Sequence, residues 1–225
     1  MAVAAVVFDL YGTLLALDGM ERPIAEAGVA DPSGFVREWR RKQIEYALLS
    51  TTANAYRPFD ELTALALAHT CALRGVVLTD AQRTRFMDVF RVMPAYPDVE
   101  AALRALAARG VARAVLTNGT PSSSGAALEH AGVRALLDDV LSVDAVRRFK
   151  PDPQVYALAT ARFACAPRDI VFVSSNAWDA WGAATFGFRV AWCNRAGTVG
   201  EALTPRPEVT LAGLHELEAF VARAS

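Results

Sequence analysis

The sequence is poor in the features that mark secreted, membrane-embedded or nucleic-acid-binding chains. Its 225 residues include only three cysteines, Cys71, Cys165 and Cys193, widely spaced and without a C-x-x-C pair. An odd, scattered set argues against a disulfide framework and leads us to expect reduced thiols in a cytosolic protein. No apolar run approaches the ~20 residues of a membrane helix. The opening Met-Ala-Val-Ala-Ala-Val-Val-Phe lacks the basic stretch of a signal peptide and breaks at Asp9. Charge of one sign is lacking as well. The 23 Lys+Arg nearly balance 24 Asp+Glu, for a net charge of -1 and 21% charged residues. That balance speaks against disorder, a broad nucleic-acid footprint or a polybasic membrane anchor. What abounds is apolar: 53% of the chain, enough for one substantial core with a smaller subdomain beside it.

The Val-rich run Val3–Phe8 ends at Asp9 with Gly12 close behind, the pattern of a buried strand feeding a loop. From Phe35 to Met93 the periodicity is helical. It predicts helices over Phe35–Ser50, Asp60–Arg74 (stopped by Gly75) and from Thr79 to Pro94, with Thr79 and Gln82 as a capping box. After Pro97 strands and helices alternate. A helix capped by Asp98 runs to Gly110, and strands are expected at Val111–Leu116, Val140–Val143, Ile170–Val173, Val190–Cys193 and near Val209. Helices at Ser122–Ala131, Pro153–Phe163, Trp178–Phe186 and from Leu214 lie between and after them. The alternation predicts an α/β fold, a Rossmann-like parallel sheet with helices on both faces. Residues 1–16 and 95–225 would form the core, and residues 17–94 a helical cap subdomain inserted after the first strand.

Ligands of open parallel sheets bind beyond the carboxyl ends of the strands, so the residues there are the informative ones. They are Asp9, Leu10, Tyr11, Gly12 and Thr13 after the first strand, and Thr117, Asn118 and Gly119 after the second. Lys150 follows the third, and Ser174, Ser175, Asn176 and Asp179 follow the fourth. Singly, each has a structural reading: Asp9 as a helix cap, Asn118-Gly119 as a turn, Lys150-Pro151 as a solvated loop end. Together they bring two carboxylates, an ammonium and several hydroxyls and amides to one crevice. The histidines, His69, His130 and His215, fall in helices away from the strand tips and suggest no metal role.

Phe8-Asp9-Leu10-Tyr11-Gly12-Thr13-Leu14 resembles the first motif of the haloacid dehalogenase superfamily, whose Asp is a covalent nucleophile. Thr117-Asn118-Gly119, Lys150-Pro151 and Ser174-Ser175-Asn176-Ala177-Trp178-Asp179 are similar to its second, third and fourth motifs. Two details resemble its 2-haloacid dehalogenases rather than its phosphatases. Tyr11 stands where the phosphatases carry a second Asp as general acid, and a halide leaving group needs no proton. Ser174-Ser175-Asn176 replaces the Gly-Asp that helps the phosphatases hold Mg²⁺, leaving Asp179 as the remaining carboxylate beside Lys150. Magnesium favours several hard oxygen ligands, so neither metal nor cofactor is expected. The same comparison frames two alternatives, a magnesium-dependent phosphatase and a non-catalytic binding protein of this fold.

The predicted helix Phe35–Ser50 places Arg37, Arg41 and Glu45 on a solvated face. Arg40 falls in the row Val36, Arg40, Ile44, Ala47, and a guanidinium in an apolar stripe requires an anion or a route to solvent. Trp39-Arg40-Arg41-Lys42-Gln43-Ile44-Glu45-Tyr46 is similar to the family's cap helix, where the Arg matching Arg40 receives the leaving halide. Arg41 departs from the family's uncharged Gln. The resemblance also implies a halide-pocket wall at Phe59, a pocket or core position for Trp178, and an activity role for Tyr156, whose bland alternative is to hold Lys150 in place. It implies a homodimer and an (S)-2-haloacid substrate, hydrolysed with inversion to the (R)-2-hydroxyacid. In that scheme Asp9 displaces halide, and Thr117 with the N–H groups of Leu10, Tyr11 and Asn118 holds the substrate carboxylate. Arg40 and Asn118 meet the halide. Asp179, helped by Ser174 and Asn176, directs water onto the Asp9 ester. Thr13 braces the nucleophile loop, and Lys150 keeps Asp9 ionised.

Overall fold

The computed structural model describes residues 3–224. Six parallel strands form one sheet in the order β3-β2-β1-β4-β5-β6: β1 (Ala5–Phe8), β2 (Ala112–Thr117), β3 (Asp139–Ser142), β4 (Ile170–Ser174), β5 (Arg189–Cys193) and β6 (Val209–Leu211). The central strand β1 lies between β2 and β4, with Phe8 level with Val115 on one side and Val173 on the other. Side chains on a strand alternate faces, and here both faces are buried. Val6, Phe8, Val115, Val171 and Val173 point to one core, while Val7, Leu116, Ile170 and Phe172 point to the other. The first core is closed by α5 (Val99–Ala108), α6 (Pro121–His130) and α9 (Leu217–Ala224), the second by α7 (Pro153–Phe163) and α8 (Ala177–Phe186).

Between β1 and β2 the chain forms α1 (Glu21–Glu26), α2 (Pro32–Thr52), α3 (Phe59–Arg74) and α4 (Asp80–Asp88). It departs and returns side by side: Ala16 N–H donates to Pro94 O at 2.8 Å, and Tyr96 N–H to Leu14 O at 3.0 Å. Trp39 and Phe35 of α2 pack on Phe86 and Phe90, and Phe90 meets the edge of Tyr11 with ring centroids 5.7 Å apart. The apolar face of the helices is thereby continuous with the sheet's core.

The capping box of Thr79 and Gln82 forms, and Gly75 ends α3 in the left-handed region at φ 63°. Two short elements were not expected, and two expectations need correction. Residues Asp18–Met20 and Glu21–Glu26 are helical although their pattern is too short to register as periodic. The helix expected from Thr79 to Pro94 ends as α-helix at Asp88 and tightens into a 3₁₀ turn. Asp98 precedes α5 but makes no capping bond. Its carboxylate instead pairs with Arg195 at 2.8 Å and accepts Leu214 N–H at 2.7 Å.

Candidate active site

Each strand tip delivers its residues into the same crevice. Gly12 turns the chain after β1 at φ +87°, a backbone conformation L side chains rarely adopt. Thr13, Leu14 and Leu15 donate back to Leu10 O, and Gly12 donates to Leu15 O. None of these turn bonds uses the N–H of Leu10 or Tyr11. Asp9 is 8% exposed and held from three directions. Thr13 Oγ1 lies 2.9 Å from Asp9 Oδ2, Asn176 Nδ2 donates to the same oxygen at 2.9 Å, and Lys150 Nζ donates to Oδ1 at 3.0 Å. Thr13 Oγ1 also accepts Ser175 N–H at 2.8 Å, tying the first loop to the fourth.

Lys150 is the electrostatic centre. Its ammonium is buried and sits 3.0 Å from Asp9 and 3.0 Å from Asp179, bridging the two carboxylates. Burial disfavours the ammonium, but Asp179 and Asp9 outweigh it and hold the lysine above its ordinary value. Asp179 is fully buried in the first turn of α8. Burial raises its pKa, and Lys150 and a hydrogen bond from Tyr156 offset part of the rise. Tyr156 Oη donates to Asp179 Oδ1 at 2.8 Å. Its partner is therefore the carboxylate, not Lys150, which corrects the bland alternative for this residue. Ser174 is buried and its hydroxyl accepts Asn176 N–H at 3.1 Å, so in this structure it shapes the turn carrying Asn176.

On the second loop Thr117 Oγ1 accepts Gly119 N–H at 3.0 Å, which leaves its own proton to donate. Asn118 Oδ1 accepts Lys150 N–H at 3.0 Å, fixing the amide so that its NH₂ is the group left for the crevice. Gly119 leaves room for Ser124, since a Cβ there would come 2.5 Å from Ser124 Oγ and would turn that hydroxyl aside. Burial, then the Asp60 charge, pushes the Tyr11 phenol up to about 12. It remains a neutral hydroxyl and a poor proton donor.

The helices supply the rest. Arg40 donates to Gln43 Oε1 and lies over the Phe90 ring, 5.7 Å from its centroid. Burial lowers its pKa, partly offset by the charge of Asp9. Arg41 faces solvent and pairs with Glu45 at 3.5 Å, as its stripe predicts. Phe59 is buried against Phe149 and, with Tyr11, lines a small cavity of about 70 Å³. Trp178 is half-buried and lines a separate cleft with Arg40 and Asn176. Among the described residues no cluster of three or more His, Cys, Asp or Glu has the arrangement of a metal site.

A buried ammonium bridging Asp9 after β1 and Asp179 at the start of α8, beneath helices inserted after β1, is the arrangement the motifs point to. A family model described as haloacid dehalogenase-like hydrolase matches residues 3–187. The chain belongs to the haloacid dehalogenase-like hydrolases. It is 40% identical over 210 residues to the (S)-2-haloacid dehalogenase of Pseudomonas sp. (strain YL), covering 92% of this chain and 90% of that protein. A crystal structure of an L-2-haloacid dehalogenase superimposes with a TM-score of 0.96 at 35% identity, covering 99% of this chain and 100% of the other. The L-2-haloacid dehalogenase of Xanthobacter autotrophicus with chloropropionic acid covalently bound matches at a TM-score of 0.91 and 31% identity, covering 98% of both chains.

Sequence reasoning passed over three residues of this hydrolase. Gln43 is buried; its Oε1 accepts from Arg40 while its Nε2 donates to Thr63 Oγ1, whose hydroxyl lies 2.7 Å from Phe59 O. Asp60 accepts from Thr120 and Ser123 at 3.1 Å each, joining the start of α3 to the start of α6. Thr51 Oγ1 accepts Phe149 N–H at 2.9 Å, so the end of α2 steadies the residue before Lys150. No local pattern marks the three, because their partners lie 20, 63 and 98 residues away.

Proposed function

We propose that the protein hydrolyses short (S)-2-haloacids to (R)-2-hydroxyacids through an ester on Asp9. One observation carries the reading: Lys150 pins Asp9 Oδ1 while Thr13 and Asn176 hold Oδ2, so the carboxylate is fixed as a nucleophile beside the bridged Asp179. The relatives named (S)-2-haloacid dehalogenase, and one with chloropropionic acid covalently bound, support the same chemistry.

In the first step an Asp9 oxygen attacks C2 from the side opposite the halogen. The new C–O bond forms as the C–X bond breaks, and the halide leaves with the electron pair. The substrate carboxylate rests on Thr117 and the Leu10, Tyr11 and Asn118 N–H groups, while Arg40 and the Asn118 NH₂ meet the halide. In the second step Asp179 takes a proton from water as its oxygen adds to the Asp9 carbonyl carbon. Collapse expels the 2-hydroxyacid oxygen, which takes the proton held by Asp179, and Asp9 releases the remaining water proton to solvent and returns as carboxylate. Tyr156 and Lys150 position the base. Ser174 and Asn176 shape the water site, and Phe59 and Trp178 wall the apolar side. We assign residues 17–94 as the cap and residues 1–16 and 95–225 as the core, divided where the chain departs and returns beside itself. The free thiols of Cys71, Cys165 and Cys193 favour a cytoplasmic setting.

The test is chloride release from L-2-chloropropionate without added metal, with D-lactate as product, and a single turnover in ¹⁸O-water analysed by mass spectrometry. The label should enter Asp9 and be missing from the first lactate. Label in that first lactate would mean direct attack by water and would overturn the ester route. Strict magnesium dependence with phosphate-ester hydrolysis would replace the reading by the phosphatase one.

A further inference from the structure

Four strands carry the residues of the site, and a fifth stands behind them. Beyond β5 the Asn194 side chain closes a turn, its Oδ1 accepting Thr198 N–H and its Nδ2 donating to Thr198 O, both at 2.9 Å. Arg195 leaves that turn with its guanidinium held by four partners. One terminal nitrogen donates to Asp98 Oδ1 at 2.8 Å, and the other to Cys193 Sγ at 3.0 Å and to Thr13 O at 3.2 Å. The cation also lies over the Tyr96 ring, 4.1 Å from its centroid. Among the described residues Arg195 is the one donor to the Thr13 carbonyl.

Thr13 is buried, and its hydroxyl lies 2.9 Å from Asp9 Oδ2 while accepting Ser175 N–H at 2.8 Å. A β-branched side chain is stiff about χ1, so this hydroxyl goes where its backbone goes. The amide end of that backbone is held inside the turn, Thr13 N–H donating to Leu10 O at 3.2 Å. The carbonyl end is held from outside the turn, by Arg195. Asp98 also accepts Leu214 N–H at 2.7 Å, so the guanidinium is fixed to a carboxylate that is itself anchored. Trp192 repeats the pattern on the fourth loop, its Nε1 donating to Ser175 O at 3.1 Å. The carbonyls of the bonded pair Thr13 and Ser175 are thus both pinned from the end of β5.

We infer that Arg195 is a positioning residue for the reaction: by holding Thr13 O it keeps the Thr13 hydroxyl on Asp9 Oδ2 and so aims the nucleophile, without touching substrate. The inference rests on the dehalogenase reading and extends it to a fifth loop. A planar fork is needed because one side chain must meet Asp98 and Thr13 O at once through different nitrogens. A lysine ammonium in its place is a single point, and the carboxylate would take it. A nucleophile out of place slows the chemical step and spares binding, and a shift on the order of 1 Å costs up to ~10²-fold.

The experiment follows chloride release from L-2-chloropropionate in a single turnover, which isolates the first step, and reads its maximal rate and its half-saturation. Wild type, Arg195→Lys and Arg195→Ala are compared, each also in a Thr13→Val background, with thermal melting alongside. Arg195→Lys should keep the pair with Asp98 and melt near the wild type, yet lose about tenfold or more in maximal rate with half-saturation within about twofold. Arg195→Ala should lose at least as much, and guanidinium at millimolar concentration should restore part of its rate without changing the wild type. Thr13→Val lacks the hydroxyl but keeps the branched shape, and in that background the Arg195→Lys factor should shrink to less than about twofold. Three results would each overturn the inference and leave the dehalogenase reading standing: a wild-type rate in Arg195→Lys, a loss that appears only in step with lost folding, or the same loss factor with and without the Thr13 hydroxyl. No chloride from the wild-type enzyme overturns the reading itself.

Discussion

Replacing Gln43 with Glu preserves the length of the side chain and nearly its shape, and changes its charge. In the native structure Gln43 gives Arg40 a neutral acceptor on one side and gives Thr63 a donor on the other, all in a buried setting. The guanidinium is thus aimed without being neutralised, and under the proposed mechanism its positive charge is kept for the halide developing in the transition state. A carboxylate in the same place would pair with Arg40 where water is scarce and compete with the halide directly. Losing one preorganised donor of this type costs about 10²–10³ in kcat, and Gln43→Glu should lose about that much. Gln43→Leu removes the acceptor and leaves the charge free, so the guanidinium wanders; a loss of about tenfold is expected, close to one hydrogen bond to a charged group. The assay is steady-state dehalogenation of L-2-chloropropionate with bromide as an added inhibitor, alongside thermal melting. Gln43→Glu should weaken bromide inhibition while its melting temperature holds or rises, since it adds a buried ion pair and loses one donor to Thr63. A Gln43→Glu enzyme with wild-type kcat and wild-type bromide inhibition would refute the argument that the neutral amide keeps Arg40 available.

Asp9→Ala should abolish turnover in the chloride-release assay. Arg40→Ala should lose about a hundredfold or more, whereas Arg41→Ala, whose side chain is exposed and tied to Glu45, should lose less than about threefold; equal losses would refute the assignment of the two faces of α2. Activity should be undiminished in EDTA. The acid limb of the kcat profile, measured where hydrolysis of the ester limits turnover, should lie above the ordinary aspartate value of about 3.9, because burial raises Asp179 and the base works only when ionised. Tyr156→Phe removes a donor that favours the carboxylate, so the limb should move to still higher pH, a shift that a purely structural role for Tyr156 would not produce.

The order of elements was legible because burial on both faces of a parallel sheet writes continuous apolar runs such as Val3–Phe8 and Ile170–Val173, and punctuation by Gly75 and Gly110 ends helices. The site was legible for a related reason. The carboxyl ends of parallel strands lie along one edge of the sheet, so Asp9, Thr117, Lys150 and Ser174 could be brought together from the strand–helix alternation alone. What escaped was every contact between segments whose separation the pattern does not encode. Gln43 meets Thr63 across 20 residues, Asp60 meets Ser123 across 63, and Thr51 meets Phe149 across 98. Asp98 misled for the converse reason. Its position satisfies the local rule for a cap, but a tertiary partner, Arg195, claims the carboxylate.

The formal charges of the site explain why the missed amide matters. Two carboxylates, Asp9 and Asp179, face two cations, Lys150 and Arg40, so the crevice is balanced before the anionic substrate enters. In the proposed mechanism the substrate's own charge rests on neutral donors, Thr117 and the N–H groups of Leu10, Tyr11 and Asn118. In the proposed first step the negative charge of Asp9 moves onto the departing halide, and Lys150 cannot follow it, being held 3.0 Å from both carboxylates. Arg40 is the one cation of the pair without a carboxylate in its hydrogen bonds, and it keeps that freedom because the residue one turn along α2 is Gln and not Glu. The rate of halide departure is on this argument set as much by what Gln43 lacks as by what Arg40 carries.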